Sequence, residues 1–192
     1  MVIRHLPQHE YALYALANTR LGTMIVLADG GIATAVMSQG GKVWLQREKL
    51  GAVIVTGLRL RKIFAIVSLP ISLGILIYLL LHHGATWLIT LLIVLSIIPN
   101  FFMMLQAGIL EISPKLQQDV IQLQKINVKA NVGRLLILGV TIFTFPLAIV
   151  ALFAASLPQI WANFQTKKIS SRYADLKQNI DAAIQKNILK MV

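Results

Sequence analysis

Cysteine is absent from this 192-residue chain, and aspartate and glutamate together number only 7. The first absence excludes disulfides, thiolate metal sites and cysteine nucleophiles, and leaves the redox compartment open. The second, against 18 lysines and arginines, gives a formal net charge of +11. Charge is scarce overall, at 13% of residues where a soluble domain carries about 25%. With 57% of residues hydrophobic, the composition is that of an integral membrane protein, with too little hydrophilic chain for an independent soluble core. The cations cluster beside apolar segments, where anionic headgroups attract them, so no nucleic-acid partner is expected. Also missing are a nucleophile with a base, carboxylates paired near one depth, metal-ligand spacing and a phosphate-binding glycine loop, which neither Gly30-Gly31 nor Gly40-Gly41 matches. No enzyme activity, cofactor or metal is expected. The start lacks a basic end followed by an apolar block and a cleavage site, so no signal peptide is expected either.

What the chain has in abundance is one stretch, 63–110, without Asp, Glu, Lys or Arg. A bilayer core takes roughly 20 apolar residues of helix, so this stretch predicts a transmembrane hairpin turning at His82-His83-Gly84. Pro70 in the first span, Pro99 in the second and Pro146 farther on are the expected kinks, each removing a backbone donor. Ser96, Asn100 and Gln106 form the one polar seam of the hairpin. An unpaired amide is costly in hydrocarbon, so they are expected to join helices, or, on a sharper reading, to line a path for substrate or ions. His82 and His83 are adjacent and have no carboxylate nearby, which favours a wet turn over metal or proton chemistry.

Before the hairpin, residues 8–37 are apolar but interrupted by Arg20, Asp29 and Gly30-Gly31, making them a candidate fourth membrane segment. Asp29 is expected in a loop or in solvent, or else buried and paired with Arg20. Residues 42–62 alternate basic and apolar positions around Trp44 and read as an interfacial amphipathic segment, completing an N-terminal region 1–62. Lys42, Arg47, Lys49, Arg59, Arg61 and Lys62 are its expected contacts to anionic headgroups. After the hairpin, 111–134 predicts an amphipathic connector starting at Ser113-Pro114, with Leu116, Val120, Leu123 and Val128 on one side. Both basic segments fall at the same end, which is cytoplasmic by the positive-inside rule.

The third apolar block, 135–165, is expected to cross once, which would put the basic tail on the wrong side for that rule. The alternative is a re-entrant hairpin at Pro146 that returns the tail. At the end of the block, Pro158, Gln159, Asn163, Lys168 and Ser170 resemble the signature of PQ-loop transporters, in which a Pro-Gln pair ends a helix. The resemblance covers about 15 residues of 192 and implies a transport role. In that family another helix follows the motif; here the apolar sequence stops. Without the resemblance, Pro158 reads as a helix stop and Trp161 as an interface anchor. The tail, 166–192, places Tyr173, Leu176, Ile180, Ile184 and Ile188 at helical spacing, with Ser170 or Ser171 as a cap. Such a short amphipathic helix needs a partner, so this face is expected to bind the membrane or another chain.

The sequence thus predicts an all-helical, multi-pass membrane protein with three spans. Its expected partners are the lipid bilayer, its anionic headgroups and other membrane subunits. Its expected location is an integral one, in a bacterial inner membrane. Its expected role is a non-catalytic accessory or scaffold subunit of a larger complex. The alternatives are a small oligomeric transporter or channel, and membrane remodelling or lysis.

Overall fold

The computed structural model describes residues 7–144 and 147–191, and all regular structure among them is helical. Helix α1 spans Gln8–Asp29 and α2 Ile32–Gly41. Next come α3, Arg47–His82, and α4, Trp87–Leu110. The short α5 covers Ile112–Leu116, and α6 runs from Val120 to Thr144. Helix α7 spans Ala148–Tyr173 and α8 Ala182–Leu189.

The two helices and the turn expected over 63–110 are present. Helix α3 ends where His83 Nδ1 meets the Leu79 carbonyl at 2.7 Å, and Gly84, at φ 83°, turns the chain. Thr86 then caps α4, its hydroxyl accepting from the Ile89 amide at 3.4 Å. The two histidines are exposed ends of a turn, with His82 stacked on Tyr78. Pro70 and Pro99 lie inside continuous helices. Ser68 donates to the Ala65 carbonyl at 3.4 Å and not to Ile66, the acceptor that Pro70 deprives of its donor. Pro146 falls outside the described residues.

Helix α1 lies antiparallel to α3: Gly84 approaches His9 at one end and Gly30 approaches Phe64 at the other. It buries the small-and-large stripe Leu13, Ala17, Leu21, Met24 and Ala28 against Leu76, Leu80, Ile93, Ile97 and Phe101. Gly30 and Gly31, both at positive φ, break the helix and let α2 leave at 50°. Among the described residues, α3 and Trp87–Leu116 are long and apolar enough to cross a membrane. The bent pair α1 and α2 makes a third candidate if it counts as one broken span.

The block 135–165 does not form the one continuous helix of a simple crossing. Its first part continues α6, fused to the connector, and its second part belongs to α7, which folds back along α6. Leu138 packs against Ala151, Ala154 and Ala155, and farther down Ile126 and Ala130 meet Ala162 and Ile169. Arg172 donates to Gln122 and Tyr173 to Asp119 at the open end. The tail therefore returns to the end where α5 begins, and the Ser113 and Ser170 hydroxyls meet there at 2.8 Å. The connector itself breaks at Gln117–Asp119, with Gln118 at φ 59°. Leu123, Ile126 and Ala130 form its buried side, whereas Val120 and Val128, expected there, face outward. Pro158 does not stop a helix; it lies within α7, against Gly133 of α6.

Below the bundle sits a second core. The expected interfacial segment is the first half of α3, whose Leu50, Val53, Ile54 and Leu60 pack with Ile32 and Val36 of α2, Ile109 and Ile112. The tail closes this cap from below. It is not one long helix: α7 ends at Tyr173, an irregular stretch follows, and α8 starts at Asp181, whose carboxylate accepts from the Ala183 and Ile184 amides. Ile188 is fully buried in the cap, and Leu176 and Ile184 pack on it, so the expected partner-binding face is largely covered by this chain itself. Ile180 stays exposed.

Candidate functional site

Where the bundle meets the cap, Arg61 of α3 is buried, with 6% of its surface exposed. Sequence reasoning puts this guanidinium among lipid headgroups; the structure turns it inward. Its Nη2 contacts Asp29 Oδ1 at 2.7 Å, and its Nη1 donates to the Leu105 carbonyl at 2.7 Å. Asp29 also accepts from the Ala33 amide at 3.1 Å, so one carboxylate balances the arginine and holds the start of α2. Space for the guanidinium comes from Gly108, where a Cβ would lie 2.6 Å from Nη1. The Asp29–Arg61 pair thus ties α1, α2, α3 and α4 at one point. Sequence reasoning names Arg20 as the partner of a buried Asp29. Nine residues of α-helix rotate through 900°, which places those two side chains on opposite faces of α1. The cost of an unpaired carboxylate was the signal that could have found the true partner, one helix away.

The remaining predicted cations diverge. Lys42, Lys49, Arg59 and Lys62 are exposed. Arg47 is exposed as well, but its Nη2 donates to the Ser171 carbonyl at 2.9 Å, and its own carbonyl accepts from the Asp175 amide at 3.1 Å. Its role is to dock the tail. Gly51 completes that junction, because a Cβ there would collide with the backbone of Asp175.

The polar seam is only in part a helix-to-helix device. Ser96 is buried and donates to the Ile93 carbonyl of its own helix at 2.7 Å. Asn100 Oδ1 is buried without a hydrogen-bond partner, contrary to the expectation that this amide joins another helix. Gln106 does reach across, accepting from Asn163 Nδ2 of α7 at 3.4 Å. Asn163 also approaches Met103 Sδ at 3.0 Å, while its Oδ1 has no partner. Asn163 carries part of the transporter-like motif, yet it sits in mid-helix with Pro158 and Gln159, not at a helix end. Higher in the bundle, Arg134 donates to the Tyr14 hydroxyl at 3.5 Å and links α6 to α1.

Beside Arg61 opens a groove of about 430 Å³ between α3, α4, α7 and the tail. Leu58, Phe102, Leu105 and Leu176 give it an apolar lining, and Arg59, Lys62 and Lys167 supply exposed cations. Among the described residues no carboxylate lines it. Among the described residues no three His, Asp or Glu side chains cluster in a way that could hold a metal ion. Comparison of the chain with protein families, with curated proteins and with solved structures finds no match.

Proposed function

We propose that this chain is a non-catalytic accessory or scaffold subunit of an integral membrane complex, resident in a bacterial inner membrane with its cap on the cytoplasmic side. The observation that carries the reading is the outer face of α6. Ile121, Val128, Val132, Leu135 and Leu136 are exposed along it, forming one stripe on the side opposite the α7 contact. In its lower half the stripe includes the exposed Lys125 and Lys129. Acyl chains suit such a mixed face poorly; a helix offering apolar side chains and carboxylates suits it well. The Asp29–Arg61 lock and the Gly51 junction fit a scaffold, since both fix helices relative to each other without leaving a reactive group exposed.

Purification of the tagged chain in mild detergent tests the proposal. A second, stoichiometric chain is expected to accompany it and to be lost on Val128→Asp, with helicity and melting of the variant unchanged. A clean homo-oligomer that Val128→Asp leaves intact would contradict it. The oligomeric transporter is the second reading, favoured by the unpartnered carbonyl oxygens of Asn100 and Asn163. The scaffold reading expects Asn100→Leu to weaken assembly; intact assembly with lost transport would favour the transporter.

A further inference from the structure

We infer that the groove beside Arg61 is a binding site for one anionic glycerophospholipid, its phosphate held by Arg59, Lys62 and Lys167 and its acyl chains directed up the outer face of α3. The inference goes beyond the scaffold reading and does not depend on a partner chain. Three observations converge. The first is charge. Three exposed cations from two helices converge on one opening that no carboxylate among the described residues lines, so an anion meets attraction there. Arg61, nine-tenths buried and balanced by Asp29, also lines the groove, and its Nε is a buried donor with no hydrogen-bond partner. Asp29, its counter-ion, does not line the groove.

The second observation is chemistry. Apart from the cations and Gln106 the groove is apolar, with Leu58, Phe102, Leu105 and Leu176 inside it, which favours an amphiphile over inorganic phosphate or a nucleotide. Its volume of about 430 Å³ suits a headgroup and the first part of a chain. The third is position. Val55, Leu58, Arg59 and Lys62 follow one another at helical spacing on a single face of α3. That face continues into the exposed Ile66, just past the point where the charge-free stretch of the helix begins. A phosphate at Lys62 therefore sits at the depth of the headgroups, with apolar helix surface directly above it for the chain.

The experiment uses the full chain, delipidated in detergent, with phosphatidylglycerol and phosphatidylcholine of identical acyl chains as probes and native mass spectrometry as the readout. The wild type is expected to retain one phosphatidylglycerol in preference to phosphatidylcholine. Each of Arg59→Gln, Lys62→Gln and Lys167→Gln should lower that preference about fivefold. Leu58→Trp, which fills the groove and leaves every charge in place, should abolish retention. Melting without lipid separates loss of binding from loss of fold, and the single charge variants alter only exposed side chains. Equal retention of the two lipids, retention unchanged in the charge variants, or equal stabilisation by inorganic phosphate would each overturn the inference.

Discussion

In the bundle, Phe101, Leu13, Leu76, Leu80 and Ile93 are fully buried and meet as large aliphatic and aromatic surfaces. In the cap, Ile32, Leu50, Ile54, Ile109 and Ile188 are buried as completely, but backbones approach more closely. Gly51 lies under the Asp175 backbone and Gly57 under Val36. The bundle is built around α3 and α4, whose hydropathy announces them, with α1 packed on them. The cap joins the uncharged α2 to the first half of α3, α5 and the tail, segments of amphipathic basic stretches that alone would seek a membrane. An amphipathic segment can thus find its apolar complement in its own chain: α2, the first half of α3, α5 and α8 cover one another.

The sharpest way to break the contrast is Phe101→Ala, which leaves a large cavity where α1 and α4 pack. It is expected to cost about 3–5 kcal/mol, read as a lowered melting temperature of the whole chain in detergent. Arg61→Met should cost about 3 kcal/mol, because Asp29, a quarter exposed, is left with its charge uncompensated at the junction. The double variant with Asp29→Asn should recover most of that loss, and the non-additivity is measured by a double-mutant cycle. Gly51→Ala acts on the cap alone. It should cost about 1–3 kcal/mol by overpacking and speed proteolysis of 174–191, with the bundle's melting little changed. Asp181→Ala removes the cap of α8, a loss of about 1 kcal/mol seen as amide exchange confined to that helix.

The smallest effect is on pH. The Lys177 amide, then the Gln178 side chain, hold Asp175 below its ordinary 3.8. A carboxylate with a lowered folded-state pKa contributes stability above its unfolded value and loses it as pH falls through the folded one. The hydrogen bond to Asp119 raises the Tyr173 hydroxyl above 10.0, so its contribution is present below that pH and is lost as pH rises past the raised value. Protection of the tail from proteolysis is therefore expected to be flat from about pH 5 to 9 and to fall on both sides.

The turn and α4 were legible because hydropathy, a charge-free length and a turn glycine agree there; the start of α3 was not, since the helix begins at Arg47, before the charge-free stretch. The fold-back of 135–165 was less so: a run of apolar residues has the same sum whether it crosses once or turns, and its connector merges with it into one helix. The cap was illegible because periodicity gives the apolar face of a segment but not what covers it. Leu176, Ile184 and Ile188 were found as a sticky face, and their occupant proved to be α2 and α3. Arg61 shows the same limit in electrostatics. It sits in a run of six cations that hydropathy treats alike, and only the third dimension separates it, through Gly108 and Asp29.

Helices α6 and α7 return the basic tail to the connector's end, opposite the His82–Gly84 turn. Since the chain has no native cysteine, single cysteines at the exposed Gln118, Lys186 and His83 can be labelled with a membrane-impermeant thiol reagent on sealed vesicles. Positions 118 and 186 are expected to react from the same side and position 83 from the other. Labelling of 118 and 186 from opposite sides would contradict this return and restore a single crossing over 135–165.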